Sequence, residues 1–185
     1  MTQQMWVFGY GSLMWDPGFV PVESVKARLD GYSRSFCLLS THYRGTEEVP
    51  GLVLGLDEAP GSHCQGLAMR VAEDEATKVA AYLRARELIT HAYRETHVPL
   101  QLEDGREVQA VTYVMRPDHD QYAGGLCVRE QARIIARAHG GRGPNAEYLF
   151  NTTQHLTQIG LPDAMLEDLA ADVRRLIAGN HGFGN

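Results

Sequence analysis

The sequence predicts an α+β fold in which a small mixed β-barrel is flanked by helices. Short runs of β-forming residues separated by turn signals fill the first two thirds of the chain, and one amphipathic helix interrupts them. The last third has helical periodicity throughout. Because 185 residues without a long linker favour one domain, we expect a single domain over residues 1–179 and a frayed tail at 180–185.

The strands are expected to be short and mostly antiparallel. A buried strand at residues 6–8 comes first, and Asp30-Gly31 and Asp104-Gly105 are two-residue hairpin signals. A Pro-Gly turn lies within residues 57–62. Such strands suit a closed barrel or a strongly curled sheet. The further strands are expected at residues 22–29, 32–39, 52–56, 65–71, 96–101 and 107–115.

Four helices are predicted. In the first, Val79 and Leu83 share one face behind an acidic start at residues 73–75, and the helix ends near Arg86-Glu87. The other three lie in the C-terminal third, where proline starts and glycine stops frame apolar positions at helical spacing. They are expected from about Val128 to Gly140, from Pro144 to Gly160 and from Pro162 to Gly179. In the last helix, Leu166, Leu169, Val173 and Leu176 are expected to point toward the core.

The stretch over residues 6–15 has the character of a strand that ends in a ligand-binding loop. Gly9 and Gly11 lack a Cβ and can adopt positive φ, so another molecule can lie directly against the backbone. The spacing does not fit a dinucleotide fingerprint, since no third glycine follows at the required place. It does not fit a nucleophile elbow either, because Ser12 stands one place late.

Charge and cysteine usage exclude several classes of partner. A net charge of −6 without a basic run argues against nucleic acid, and no apolar run approaches the ~18 residues needed to span a membrane. The three cysteines are widely spaced and odd in number, which is typical of neither a disulfide framework nor a zinc site. No signal peptide is evident. We therefore expect a cytoplasmic protein whose partner is a small molecule.

Five segments, in chain order, resemble the ChaC-type γ-glutamylcyclotransferases. The first is the Gly-Tyr-Gly-Ser-Leu loop, and five ordered matches are far more specific than any one alone. The segments are Gly9-Tyr10-Gly11-Ser12-Leu13, Arg44-Gly45-Thr46 with Pro50-Gly51, Gly66-Leu67-Ala68, Arg86-Glu87, and Asn145-Ala146-Glu147-Tyr148-Leu149.

The resemblance implies a cofactor-free cyclotransferase that converts glutathione to 5-oxoproline and Cys-Gly, with Glu87 as the catalytic acid and base. On periodicity alone Glu87 is more typical of a solvated helix end, but its position at the negative end of the helix dipole would raise its pKa. Arg86 receives no role, because adjacent helical residues point to different faces. The substrate-binding residues are predicted to be Gly9, Tyr10, Gly11, Ser12, Leu13, Met14, Arg44 and Tyr148.

Other readings stay open at this point. Tyr148 is as typical of a half-buried helical aromatic as of a substrate contact. Arg44 is as typical of a surface arginine as of a contact to a substrate carboxylate, and Tyr113 is more typical of the core than of a binding site. The chain could also be a cyclotransferase for another γ-glutamyl amine, or a non-catalytic binding module on the same fold. The segment 88–92 departs from the shorter glycine-containing turn of many family members, which leaves selectivity open.

Because the substrate supplies its own nucleophile and the eight histidines show no metal-ligand spacing, we predict activity without metal or nucleotide. Extensive chelation should leave turnover of glutathione within about twofold of the untreated enzyme, as judged by 5-oxoproline formation. Loss of activity on chelation that one metal restores would contradict this prediction.

Overall fold

The computed structural model describes residues 4–180. Its strands are β1 (Trp6–Gly9), β2 (Glu23–Ser40), β3 (Gly51–Arg70), β4 (Tyr93–Leu102), β5 (Glu107–Met115), β6 (His139–Gly140) and β7 (Gly143–Pro144). Its α-helices are α1 (Ala76–Glu87), α2 (Val128–Arg137), α3 (Asn145–Gln158) and α4 (Ala164–Asn180). Short 3₁₀ helices cover Ser12–Met14 and Glu73–Glu75.

The described chain divides into two compact units, each made of two segments. The first comprises residues 4–34 and 55–120, and the second comprises residues 35–54 and 121–180. Strands β2 and β3 contribute residues to both units. A single domain over residues 1–179 stays our proposal, since continuous strands supply both units.

Strands β1 to β5 close into a barrel with the order β1-β3-β2-β4-β5. Strand β1 pairs antiparallel with β3 and parallel with β5, while β4 pairs antiparallel with both β2 and β5. The predicted α+β class with a mixed β-barrel is therefore confirmed. The Asp104-Gly105 hairpin is also confirmed, because β4 and β5 pair from Gln101 opposite Glu107 onward and Gly105 has φ of 91°.

Two other predicted turns are wrong. Asp30-Gly31 lies inside β2 and the 57–62 segment lies inside β3, so four expected short strands are two long ones. Gly31 and Gly61 have φ of 83° and 84°, a conformation that glycine adopts in strand bends and bulges as readily as in hairpins. The turn residues therefore mark bends in continuous strands.

Strand β1 is buried on both faces. Phe8 packs into the barrel interior with Leu29, whereas Val7 packs against Val79 and Leu83 of α1. Alternation along the strand explains this division, because successive side chains point to opposite faces. The helix that ends at Glu87 is thereby held against the strand that leads into the glycine loop.

In the second unit, the three predicted C-terminal helices are confirmed as α2, α3 and α4. Leu166, Leu169 and Val173 are buried as expected, but Leu176 retains 37% exposure, so its predicted inward position is wrong. Helix α4 continues through Gly179 to Asn180, because glycine lowers helix propensity without preventing a last turn. The rest of the predicted frayed tail, residues 181–185, lies outside the described residues.

Asn145 pairs with a strand edge through its side chain. Its Oδ1 accepts a hydrogen bond from the Leu52 N–H at 2.7 Å, and its Nδ2 donates to the Leu52 carbonyl at 2.7 Å. The side chain is fully buried. A Cβ on Gly51 would lie 2.7 Å from Asn145 Oδ1 and would collide with the Arg44 carbonyl. Two of the family-like segments therefore meet through close packing.

We predict that Asn145→Ala destabilises the protein by about 3 kcal/mol, because it leaves two buried backbone groups of Leu52 without partners. Urea unfolding followed by circular dichroism measures the change. Asn151→Ala, an identical substitution at an exposed position of the same helix, should stay within about 0.5 kcal/mol of the parent. Equal stabilities for the two variants would contradict a structural role for Asn145.

Candidate functional site

Glu87 continues the buried face of α1. Val79, Leu83 and Glu87 are spaced four residues apart, so they lie on one side of the helix. Val79 and Leu83 are 4% and 0% exposed, and the Glu87 side chain keeps only 18% exposure. The Glu87 carboxyl is therefore not a solvated surface group. Its burial follows from the four-residue spacing that places it on the same helix face as Val79 and Leu83.

The glycine loop begins where β1 ends. Gly11 has φ of −141° and ψ of −132°, and neither Gly9 nor Gly11 has the positive φ that we expected. Gly9 instead allows close packing, since an added Cβ would lie 3.0 Å from Met69 Cε and 3.2 Å from Met14 Cγ. Gly9 is therefore suited to this position because it has no Cβ, and not because the backbone makes a left-handed turn there.

Three backbone N–H groups of this loop are available to a ligand. The N–H of Met14 donates to the Gly11 carbonyl at 2.9 Å, which closes the 3₁₀ turn. Within residues 4–180, the N–H groups of Gly11, Ser12 and Leu13 have no protein acceptor. Successive N–H groups of this kind bind carboxylates and oxyanions.

Glu87 and the loop line a common cavity of about 50 Å³. The predicted residues Gly9 and Met14 are not among its lining in the described chain, and Met14 is 7% exposed beside Gly9. The wall is completed by Tyr93, which ends the segment 88–93 that we associate with selectivity, and by Tyr113, which the sequence favours as a core residue. The lining consists of Tyr10, Gly11, Ser12, Leu13, Glu87, Tyr93 and Tyr113.

The two tyrosines reach the cavity through strand register. Tyr93 is paired with Met115 and Glu95 with Tyr113 across β4 and β5, and residues two apart point to the same face. The Tyr10 hydroxyl donates to the Tyr113 carbonyl at 2.9 Å, which joins the loop to β5. The pairing register of β4 and β5 brings the two tyrosines together, and this register cannot be determined from the sequence alone.

Two carboxyl groups near Tyr113 have opposite pKa shifts. Burial raises the pKa of Glu87, and the charge of Arg86 opposes this shift only in part. Hydrogen bonds from Arg84, at 2.9 and 3.0 Å, lower the pKa of Glu95. Burial and the neighbouring carboxylates raise the pKa of Tyr113, so its hydroxyl stays protonated and donates to Glu95 at 3.3 Å. Groups whose pKa values are pushed apart in this way are typical of acid–base sites.

Arg86 contacts Glu87, contrary to the expectation that adjacent helical residues diverge. Its Nε lies 3.3 Å from Glu87 Oε1, while its other nitrogens donate to Ser12 Oγ and to the Asp16 carbonyl. The guanidinium lies at the end of a long side chain, so it curls back at the helix terminus. Periodicity describes where a side chain begins and not where its charged end lies.

Arg44 and Tyr148 belong to the second unit and contact each other there. The Arg44 guanidinium lies 5.6 Å from the centroid of the Tyr148 ring and donates to the Pro144 carbonyl at 3.2 Å. The Tyr148 hydroxyl accepts a hydrogen bond from the Leu54 N–H at 3.3 Å, and its ring packs edge-on against Phe36. Both side chains therefore have packing roles within this unit.

A larger cavity of about 220 Å³ also borders Tyr113, and Arg84, Glu95 and His97 line it. Its two opposite charges are paired with each other, so it lacks the tuned carboxyl of the smaller cavity. In the described part of the chain, no three His, Cys, Asp or Glu side chains are grouped to hold a metal ion. None of the helices within residues 4–180 has the length and apolar character needed to cross a membrane.

Known proteins share both the sequence and the fold. The glutathione-specific γ-glutamylcyclotransferase of Escherichia coli (strain K12) is 41% identical over 180 residues, which cover 97% of this chain and 77% of the relative. The human glutathione-specific γ-glutamylcyclotransferase 1 is 34% identical, covering 92% of this chain and 78% of the relative.

A crystal structure of a yeast γ-glutamylcyclotransferase specific to glutathione has the same fold. Its TM-score is 0.82 at 24% identity, and the match covers 94% of this chain and 97% of the yeast chain. Residues 5–176 match the family described as ChaC-like protein. The chain therefore belongs to the ChaC-like family.

Proposed function

We propose that this protein is a γ-glutamylcyclotransferase that degrades glutathione to 5-oxoproline and Cys-Gly. One observation carries the proposal: the carboxyl of Glu87, with its raised pKa, lines the same cavity as the N–H groups of the glycine loop. Relatives that are 41% and 34% identical are named for this activity on glutathione, which supports the choice of substrate.

The substrate supplies both reacting groups. In a γ-glutamyl amide, the α-amine and the γ-carbonyl belong to one molecule, so folding brings the nitrogen to the carbonyl carbon. Holding that conformer contributes on the order of 7 kcal/mol in good intramolecular cases. The protein must then move protons and stabilise charge, and no external nucleophile or cofactor is required.

Glu87 performs two proton transfers in sequence. Its carboxylate accepts a proton from the α-ammonium group, and the freed amine attacks the γ-carbonyl carbon to form a tetrahedral oxyanion. Collapse of this intermediate breaks the amide C–N bond, and protonated Glu87 returns the proton to the departing amine of Cys-Gly, while the ring nitrogen releases its second proton to solvent and becomes the N–H of the lactam. Acid and base roles in one cycle suit a carboxyl whose pKa is raised above its ordinary value by burial.

The glycine loop binds the charges that the substrate presents. The N–H groups of Gly11, Ser12 and Leu13 donate hydrogen bonds to the oxyanion or the α-carboxylate, and each well-placed oxyanion donor contributes about 3 kcal/mol. Tyr10 joins the loop to β5 through its hydroxyl. We retain Gly9 and Met14 as supporting members of the loop, since Met14 packs against the glycine.

Arg44 and the segment 88–93 remain proposed contacts for the part of the substrate beyond the γ-glutamyl group, and Tyr148 remains a proposed substrate contact. The guanidinium uses one nitrogen on the Pro144 carbonyl, and its planar fork has further donors for a carboxylate. We also propose a cytoplasmic location, because glutathione is abundant where thiols are kept reduced.

We predict that Glu87→Gln lowers kcat for glutathione by at least about 100-fold, because the amide keeps the shape but transfers no proton. Formation of 5-oxoproline, followed by mass spectrometry, measures turnover. Glu107→Gln makes the same substitution at an exposed position of β5 and should leave kcat unchanged. Near-parental turnover by the folded Glu87 variant would exclude Glu87 as the base, and no turnover by the parent would exclude the function.

We further predict that glutathione is cleaved far better than γ-glutamyl-alanine, by up to about 10⁴-fold, because unpaired polar groups penalise the smaller leaving group. Arg44→Ala should narrow this ratio by impairing glutathione more. The measurement is kcat/KM for both substrates in both proteins.

Arg142→Ala is the matched control for this experiment. Arg142 is an exposed arginine of the same unit that stacks on Tyr43 rather than on Tyr148. Its variant should keep the parental substrate ratio. If the parent cleaves γ-glutamyl-alanine as well as glutathione, the protein acts on γ-glutamyl amines in general and not on glutathione specifically.

A further inference from the structure

We propose that Arg86 is the positioning residue of the site. It holds the Glu87 carboxyl against the glycine loop and places a positive charge directly beside that carboxyl. The proposal rests on the proposed function and adds to it a residue that neither proton transfer nor substrate binding requires directly.

The contacts of Arg86 join three parts of the site. Its Nη1 donates to the Asp16 carbonyl at 2.7 Å, its Nη2 donates to Ser12 Oγ at 3.2 Å, and its Nε lies 3.3 Å from Glu87 Oε1. A guanidinium is planar and rigid, so these three contacts fix the distance between the loop and the carboxyl. The side chain keeps only 23% exposure, which limits competition from water.

A second arginine holds the other end of the same loop. Arg34 donates from Nη1 to the Tyr10 carbonyl at 2.7 Å and from Nη2 to the Gln65 carbonyl at 2.8 Å. It therefore ties the loop to β3. Between them, the two arginines occupy acceptors of the loop and leave its N–H groups for an anionic ligand. Arg86 in addition contacts the proposed base, Glu87.

The electrostatic consequence has a definite sign. Burial raises the pKa of Glu87, and the Arg86 charge opposes that rise. The titratable side chains that line the cavity with Glu87 from other elements are Tyr10 of the glycine loop, Tyr93 of β4 and Tyr113 of β5. Removing the charge leaves burial unopposed, so the pKa rises further and a smaller fraction of Glu87 is ionised at pH 6. The loss of activity should be larger at low pH and should shrink at high pH, where Glu87 is ionised in both proteins.

Three variants separate charge from geometry. Arg86→Met removes both the positive charge and the planar set of guanidinium donors, whereas Arg86→Lys keeps the charge and loses the planar donors. Lys78→Met is the control, because it removes one positive charge from an 84% exposed position of the same helix. Arg34→Met provides a fourth variant that loosens the loop without changing the charge beside Glu87.

Two measurements are required. The pH profile of kcat/KM for glutathione reports on catalysis, and ¹³C NMR titration of the Glu87 carboxyl, assigned with Glu87→Gln, reports on the charge without any turnover. For Arg86→Met we expect the deficit relative to the parent at pH 6 to exceed that at pH 9 by at least about threefold, with a higher NMR titration midpoint. Arg86→Lys should keep the parental midpoint and raise KM.

The other variants complete the pattern. Arg34→Met should raise KM without moving the midpoint, and Lys78→Met should behave as the parent. Equal deficits of Arg86→Met at both pH values, with an unchanged midpoint, would overturn the proposal. If Arg86→Met does not fold, a parental KM in Arg86→Lys would overturn the positioning role. If the parent has no cyclotransferase activity, the NMR midpoints still test the effect of Arg86 on Glu87.

Discussion

The burial of β1 on both faces is the constraint on which the site depends. Phe8 is fixed in the barrel interior and Val7 against α1, and both are completely buried. A strand held from both sides cannot shift its register without exposing one set of side chains. The loop that follows it, and the end of the helix that packs on it, therefore have defined positions relative to each other. The position of Glu87, the proposed base, is a consequence of packing at Val79 and Leu83.

The position of Glu87 is unfavourable for stability and favourable for proton transfer for the same reason. Water solvates an ionised carboxylate better than the end of an apolar stripe does, so burial favours the protonated form. Glu95 on β4 also lies beside Tyr113, but it accepts hydrogen bonds from Arg84, and these bonds lower its pKa. The site thus contains two carboxyl groups of similar chemistry, and their surroundings shift the pKa of Glu87 upward and the pKa of Glu95 downward.

Local signals in the sequence were sufficient for the helices and for one hairpin. Proline starts, glycine stops and apolar periodicity act within a few residues, and so does the Asp104-Gly105 turn. Asp30-Gly31 has the same local chemistry but lies inside β2, because long-range pairing decides whether a positive-φ glycine turns a chain back or only bends it. Tyr93 and Tyr113 were missed for the same reason, since they meet through the register of β4 and β5. Arg86 was missed because its contacts form at the end of a flexible side chain.

The family-like segments differ in what they do in the two units. In the first unit, the glycine loop and Glu87 line a cavity, and their chemistry explains why those residue types are needed. In the second unit, Gly51 and Asn145 are packed so closely that neither a Cβ nor a shorter side chain fits without loss. A shared motif is therefore not in itself evidence of a shared substrate contact. Arg44 of the second unit differs from these two residues, because it packs on Tyr148 and also carries a guanidinium with more hydrogen-bond donors than the Pro144 carbonyl can use. Differences in substrate choice between otherwise similar chains should accordingly be sought around Arg44 rather than around the buried asparagine.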